Sequence, residues 1–387
     1  MSDAVLHGAT RGVSRDELLD RVAALTPLLK ETAAESEALG TLSSAAVEAF
    51  HDAGLFRLWS AREVGGYDVS VADQLHVLMA VARADMSACW SLMIGASSSA
   101  VMASRLPDEG VAELFGGGRW PTGASSLTPA GRARRVEGGY RVSGRWGFGS
   151  GIKHGVGAMA NCLVVEPGEG EPRQVSAFVP LAQIEIVDDW RVSGLRGTGS
   201  NSYVVDDVFV PDRFIGVAQP PVVHRGGAAA ANLHRRLAIE HGALALGGAR
   251  RALDEVTRQA RDKRRLTEKR TVADSTHFQI ELGRMEAEHL SLVAGTREAA
   301  EAFDAALAQS GEALHEAGLA LRAVCAHVTE AGRAIVDRCL RHAGAGAIMP
   351  GNPLERLQRD MTVAAQHYMI GDSAYEALAE QRLEIAP

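Results

Sequence analysis

Lysine is nearly missing from this sequence. Of 40 basic residues in 387, only Lys30, Lys153, Lys263 and Lys269 are lysine, which reads as a coding bias rather than a mechanism. Aromatic residues make up 5%, so the core must be aliphatic and alanine-rich. There is no basic excess: 48 acidic against 40 basic residues give a net charge of −8, which argues against nucleic-acid or anionic-membrane binding. No run of 18 apolar residues occurs, so no membrane span is expected. The polar segment before Ser14 lacks the apolar stretch of a signal peptide, and a cytoplasmic protein is expected. Cysteine is scarce: Cys89, Cys162, Cys325 and Cys339 form no CxxC and too few pairs for a disulfide framework, so reduced thiols are expected. The GxSxG, HExxH and GxxxxGK[ST] patterns are absent, as is a GxGxxG opening a helix. The 13 histidines have no metal-ligand spacing. Hydrolases and metalloenzymes are therefore disfavoured, and no metal is expected.

What is present is an ordinary globular composition, 46% apolar and 23% charged, long enough for more than one core. Three blocks follow one another. Residues 1–118 read as a helical domain. Ser14 and Glu17 have capping-box spacing before an apolar period, and Pro27 is expected to end or kink that helix. Further helices are expected over 43–53, 71–84 and 87–103. Residues 119–222 alternate in β fashion, with Gly138-Gly139 as a hairpin signal, and read as a small β-barrel or sandwich domain. Residues 223–387 return to helical periodicity. Long helices over 237–264, 275–309, 312–343 and 354–384 predict a four-helix bundle. The fold class is α+β.

Two clusters in the β block could carry chemistry. Trp146, Phe148 and Ser150 fall together in a glycine-rich strand, and Arg196, Thr198 and Ser200 share a loop. Small hydroxyls with free backbone N–H groups suit a phosphate or a polar heterocycle, and an adjacent aromatic can cover a ring face. Two ordinary β-turns with solvated hydroxyls are the alternative. Trp90 and Met93 read as core packing.

The order helical–β–helical, with Gly194 to Ser200 followed by VVDDVFVP, resembles the acyl-CoA dehydrogenase superfamily. So does His342 to Gly346 (HAGAG) followed by Pro353 to Arg356 (PLER) and Arg359-Asp360. The resemblance implies a flavin between the middle domain and the bundle, and a homotetramer. The dehydrogenases of that superfamily need a carboxylate base, but Tyr368 and Arg235 stand at the two positions that usually supply it. Glu240 lies further along, on another helix face.

The motifs are closer to the oxygenase components of two-component flavin-dependent monooxygenases, the group of 4-hydroxyphenylacetate hydroxylase. That resemblance assigns Ser150 and His367 as catalytic, and Ser125 or Ser126 as substrate-binding. Ser98 or Ser99 stands where the phenol hydroxylases carry a histidine, leaving indoles, polycycles and amines open. Trp146, Phe148, Ser150, Arg196, Thr198, Ser200, Gly344 and Gly346 would bind the flavin, with Arg264 or Arg265 reaching a flavin phosphate. The implied activity uses reduced FMN or FAD and O₂, through a C4a-hydroperoxide, to hydroxylate an aromatic or heteroaromatic small molecule. A separate NAD(P)H-dependent flavin reductase would be the partner. N-oxygenation of an amine, a dehydrogenase-like oxidoreductase with a relocated base and a non-catalytic flavin-binding protein are the alternatives.

Overall fold

The computed structural model describes residues 12–164, 173–219, 222–264, 269–309 and 311–385. It is a mixed α+β chain. Helices α1 (Arg15–Leu39), α2 (Ser44–Asp52), α3 (Val71–Ala84), α4 (Met86–Arg105) and α5 (Asp108–Phe115) come first. The capping box forms as expected, with the Ser14 hydroxyl accepting from Glu17 N–H and the Glu17 carboxylate from Ser14 N–H. Pro27 does not end α1, which continues to Leu39.

α4 deserves its central place because small residues crowd it. Its run of alanine, serine and glycine lets neighbours approach closely, and 17 of its 20 residues are buried. By length and composition α4 could cross a membrane, but 83% of that apolar window is covered by the fold. Its N-terminus is capped by Asp85, whose carboxylate accepts from Ala88 N–H at 2.6 Å.

Among the described residues seven strands follow: β1 (Gly123–Val136), β2 (Gly139–Gly149), β3 (Gly157–Val164), β4 (Gln174–Pro180), β5 (Glu185–Val187), β6 (Asn201–Pro211) and β7 (Ile215–Gln219). They form one open sheet in the order β5-β6-β2-β1-β3-β4-β7. This corrects the expected barrel or sandwich: the ladders join all seven strands in one sheet whose edges, β5 and β7, stay unpaired with each other. The β1–β2 hairpin closes at Val136 and Gly139, as the glycine pair predicts. Bulges interrupt β1 between Ser126 and Gly131 and β2 between Trp146 and Gly149. Both bulges re-aim side chains toward one cavity, a common use of the device.

The chain returns to helix with α6 (Gly227–Ala231), α7 (Leu233–Arg236), α8 (Ala238–Asp262), α9 (Thr276–Leu307) and α10 (Gly311–Ala343). The last expected helix is broken in two, α11 (Pro353–Ala364) and α12 (Ser373–Arg382), with a 3₁₀ turn over Tyr368–Ile370 between them. The break has a local cause. The His367 backbone is extended (φ −72°, ψ 134°) and its ring nitrogen accepts from Met369 N–H at 3.4 Å, so His367 caps a turn instead of continuing α11. All four cysteines are buried free thiols.

Candidate active site

A cavity of about 650 Å³ opens where α4, the bulged ends of β1 and β2, the 190–200 loop, α8 and the α11–α12 break converge. That volume lies in the range of small-molecule and cofactor sites. From α4 it is lined by Trp90, Ile94, Ser97 and Val101, an i, i+4, i+7, i+11 stripe. Ser98 and Ser99 are not on that stripe. Their hydroxyls are buried and donate to Gly95 O, Ser98 also accepts from Gly123 N–H, and Ser99 also donates to Pro121 O. Both knit α4 to the start of β1, and Ser97 is the serine that α4 presents to the cavity.

From the sheet come Ser125, Ser126, Trp146, Phe148 and Ser150. Ser150 follows the end of β2 rather than lying on it. Its hydroxyl accepts from Trp90 Nε1 at 3.0 Å and lies 2.7 Å from Ser200 Oγ, which lies 2.7 Å from Thr198 Oγ1. Thr198 in turn donates to Leu195 O at 2.8 Å. The two expected clusters are thus one hydrogen-bonded chain of hydroxyls.

Trp146 is fully buried, stacked on Tyr203 at 5.3 Å, with its N–H on Asn161 O at 2.9 Å. It is the floor of the cavity as much as core. Phe148 is the opposite case, 79% exposed at φ +58° and edge-on to Trp190 at 6.2 Å. Leu195, also on the cavity wall, has φ +51°. Left-handed backbone at two side-chain-bearing residues costs of order 1 kcal/mol each, and such strain clusters at functional sites. The 195 loop is held by Asp360, whose carboxyl accepts from Leu195 N–H at 2.6 Å. Only glycine fits at 194, because a Cβ there would run into the Arg359 carbonyl.

The helical wall supplies His367, His241 and Glu240. The His367 and His241 rings stack at 4.1 Å and 26°, and Trp90 stands edge-on to both, at 5.8 and 5.3 Å. Burial pushes the His367 imidazole down to about 4. Burial, then the neighbouring His367, pushes His241 well below the ordinary imidazole value. Burial drives the Glu240 carboxyl well above its ordinary value, with Arg236 opposing. Burial thus disfavours charge on all three side chains of this wall.

The other expected cofactor residues lie elsewhere. Arg196 donates to Val192 O at 2.8 Å and sits 3.9 Å from Glu37, serving the loop and not the cavity. Arg264 is exposed in an isolated bridge with Thr271. Gly344 and Gly346 follow α10 and do not line the cavity. Arg265 lies outside the described residues. Arg235 faces a separate small pocket with His234, His315 and Arg322. Trp90, expected to pack the core, and Glu240 and His241, given no site role by the sequence, stand in the cavity wall. Trp90 belongs to the α4 stripe, a signal the helical period carried. Glu240 and His241 had none, because nothing local distinguishes a buried acid facing a cavity from one facing solvent.

A flavin fits these residues. The mostly apolar walls suit a planar tricyclic ring, the buried hydroxyl chain suits its polar edge, and exposed Phe148 can cover a ring face.

Residues 239–371 match the family model "Acyl-CoA dehydrogenase, C-terminal domain". The chain is 29% identical to indole-3-acetate monooxygenase of Pseudomonas putida over 87% of its own length and 85% of that protein's. It is 35% identical to the flavin-dependent monooxygenase oxygenase subunit HsaA of Rhodococcus jostii, over half of each chain. The solved structure of XiaF from a Streptomyces species, in complex with FADH2 and glycerol, superposes with a TM-score of 0.88 at 27% identity over 96% of both chains. The chain has the acyl-CoA dehydrogenase fold and is similar to flavin-dependent monooxygenases, with the match to a named oxygenase subunit spanning half of its length.

Proposed function

We propose that this chain is the oxygenase component of a two-component flavin-dependent monooxygenase that hydroxylates an aromatic or heteroaromatic small molecule. Bound reduced flavin, FMN or FAD, supplies the electrons with which O₂ is activated for transfer of one oxygen atom. The observation that carries the reading is the hydroxyl chain Trp90–Ser150–Ser200–Thr198 facing the neutral His367 across one apolar cavity. Ser150 is fixed by Trp90 and presents its hydroxyl to the flavin's polar edge. His367, neutral above about pH 4, hydrogen-bonds the substrate side or exchanges a proton with it. Ser125 and Ser126 border the substrate, and the apolar walls exclude water.

The sheet is antiparallel apart from the β1–β3 pair and is not a doubly wound dinucleotide fold. A separate NAD(P)H-dependent reductase therefore delivers the flavin. In this reading a helical domain (1–118), a β domain (119–222) and a helical bundle (223–387) meet at the flavin. A homotetramer in the cytoplasm completes the proposal. Ile280 and Leu290 on α9 are exposed apolar side chains that an assembly could cover. N-oxygenation of an amine uses the same geometry.

The test is a reductase-fed assay under ¹⁸O₂ with indole, a phenol and a planar tricyclic arene. One labelled oxygen per product molecule is expected. Glu240 on the wall keeps one rival specific, a dehydrogenase with a relocated base. Bleaching of bound flavin by an acyl-CoA without O₂, and no labelled product, would establish that rival.

A further inference from the structure

Glu240 and His241 are neighbours in the first turn of α8, 1% and 3% exposed, and both line the cavity. Among the described residues, Glu240 Oε1 and His241 Nδ1 have no hydrogen-bond partner. The nearest cation is committed elsewhere: Arg236 donates to Val69 O at 2.8 Å, sits 3.8 Å from Asp68 and covers the Trp59 ring. A buried carboxyl or imidazole left unpaired is destabilising. A pair of them on one cavity wall is therefore an arrangement that a ligand completes.

The rest of the cavity limits what that ligand is. The serine hydroxyl on α4 is already spent, because Ser97 donates to Ile94 O at 3.2 Å. The Ser150, Ser200 and Thr198 hydroxyls are bonded to one another. Of the remaining lining residues, Ser125, Ser126, Thr128 and Gln366 are polar, and Ile94, Val101, Leu237 and Val363 meet an apolar body. Stacking on His367 at 4.1 Å and the edge of Trp90 at 5.3 Å fix the orientation of the His241 ring; its Nδ1 is fully covered, so Nε2 is the nitrogen left for a ligand. Burial opposes charge on both groups, which suits a neutral partner over an ion.

We propose that Glu240 and His241 are the polar anchor of the substrate: they take a ring N–H or O–H at one end of a planar apolar molecule, and Glu240 sets which rings bind. The inference rests on the oxygenase reading for the cavity's being the substrate site. A ring lacking the donor leaves both groups unpaired and is rejected, which is how a hydrogen-bonding pocket discriminates more sharply than an apolar one.

The experiment is calorimetric binding, without turnover, of four probes to the protein with and without oxidised FMN. Indole is compared with benzofuran, and 2-naphthol with 2-methoxynaphthalene. Wild type is expected to prefer the donor-bearing member of at least one pair by roughly 10-fold or more. Preference in the first pair assigns a ring N–H, in the second an O–H. Glu240→Leu should bring the members of that pair to within about 2-fold, whereas Glu240→Gln, which keeps an acceptor, should retain much of the preference. His241→Phe tests the second half of the anchor if Glu240→Leu fails to fold. Equal affinities in wild type, no binding of any probe, or preference that survives the loss of either side chain would each overturn the proposal. Selective binding without labelled product would leave the anchor standing and sink the oxygenase reading; labelled product without selectivity would do the reverse.

Discussion

The indole N–H of Trp90 on α4 donates to the Ser150 hydroxyl across 3.0 Å, tying the N-terminal helices to the turn after β2. The bond sets the direction of a hydroxyl that is 95% buried, and it passes through Ser200 to Thr198 in a loop about fifty residues further on. A side chain read as core packing thereby becomes the support of the cofactor wall.

Ser150→Ala tests that wall. The hydroxyl bonds both Trp90 and Ser200, so removing it strands a buried donor, and a stability loss of about 1–3 kcal/mol is expected. Reduced flavin should still bind, while product formed per flavin oxidised falls and H₂O₂ release rises. Unchanged coupling in the reductase-fed assay would remove Ser150 from the mechanism.

Trp90→Phe separates the ring from its N–H. Phenylalanine keeps an aromatic edge near His241 and His367 but leaves Ser150 without its donor. Folding should be retained with a loss of about 1–2 kcal/mol, and coupling should fall in the same direction as in Ser150→Ala. The double variant should be no worse coupled than the worse single, because both act through one bond. Additive losses would mean that Trp90 acts on the substrate independently.

Much of this fold was legible in the sequence because local signals and tertiary structure agree. Ser14 and Glu17 make their capping box, α3 spans the expected residues 71–84, and the hairpin turns at Gly138. The misses have physical causes. Pro27 sits inside a helix buried along one face, where packing outweighs the lost backbone bond. His367 breaks the last helix because its side chain competes for backbone N–H groups, which a purely apolar period does not register. At the site, the hydroxyl clusters were legible as chemistry but not as one chain, since their union depends on a contact between residues 150 and 200. Ser98 and Ser99 lie one and two helical positions beyond Ser97, about 100° and 200° of rotation from the residue that lines the cavity.

Asp360 gives a pH prediction with a definite sign. Burial first, and the nearby Asp85 second, push its carboxyl up to about 7. A carboxyl raised in the folded state stabilises while protonated, so its contribution is full below the ordinary carboxylate value and is lost as pH rises through about 7. Asp360→Asn keeps an oxygen for Leu195 N–H and cannot titrate. The melting temperature of the variant relative to wild type should therefore climb between pH 5 and 8. A flat difference across that range would mean that Asp360 stays charged in the fold.

His367 and Tyr368 separate an oxygenase from a dehydrogenase-like site. His367 stands in the cavity wall, stacked on His241 and edge-on to Trp90, whereas Tyr368 is 52% exposed although it too borders the cavity. His367→Ala should cut coupled product formation by roughly 10²–10⁴-fold if the imidazole transfers a proton, with reduced flavin still bound. Tyr368→Phe should be mild. Burial holds the His367 imidazole down at about 4, so turnover should show no inflection near the ordinary histidine value of 6.5. The sign for stability follows: an imidazole depressed in the fold contributes fully above pH 6.5, and the contribution is lost as pH falls from there toward 4. His367→Phe keeps the aromatic stack and removes the titration, so its melting temperature relative to wild type should rise on acidification through that window. Near-normal coupled turnover in His367→Ala, or a turnover inflection near 6.5 that His367→Phe abolishes, would show that the histidine is structural in the first case and solvated in the second.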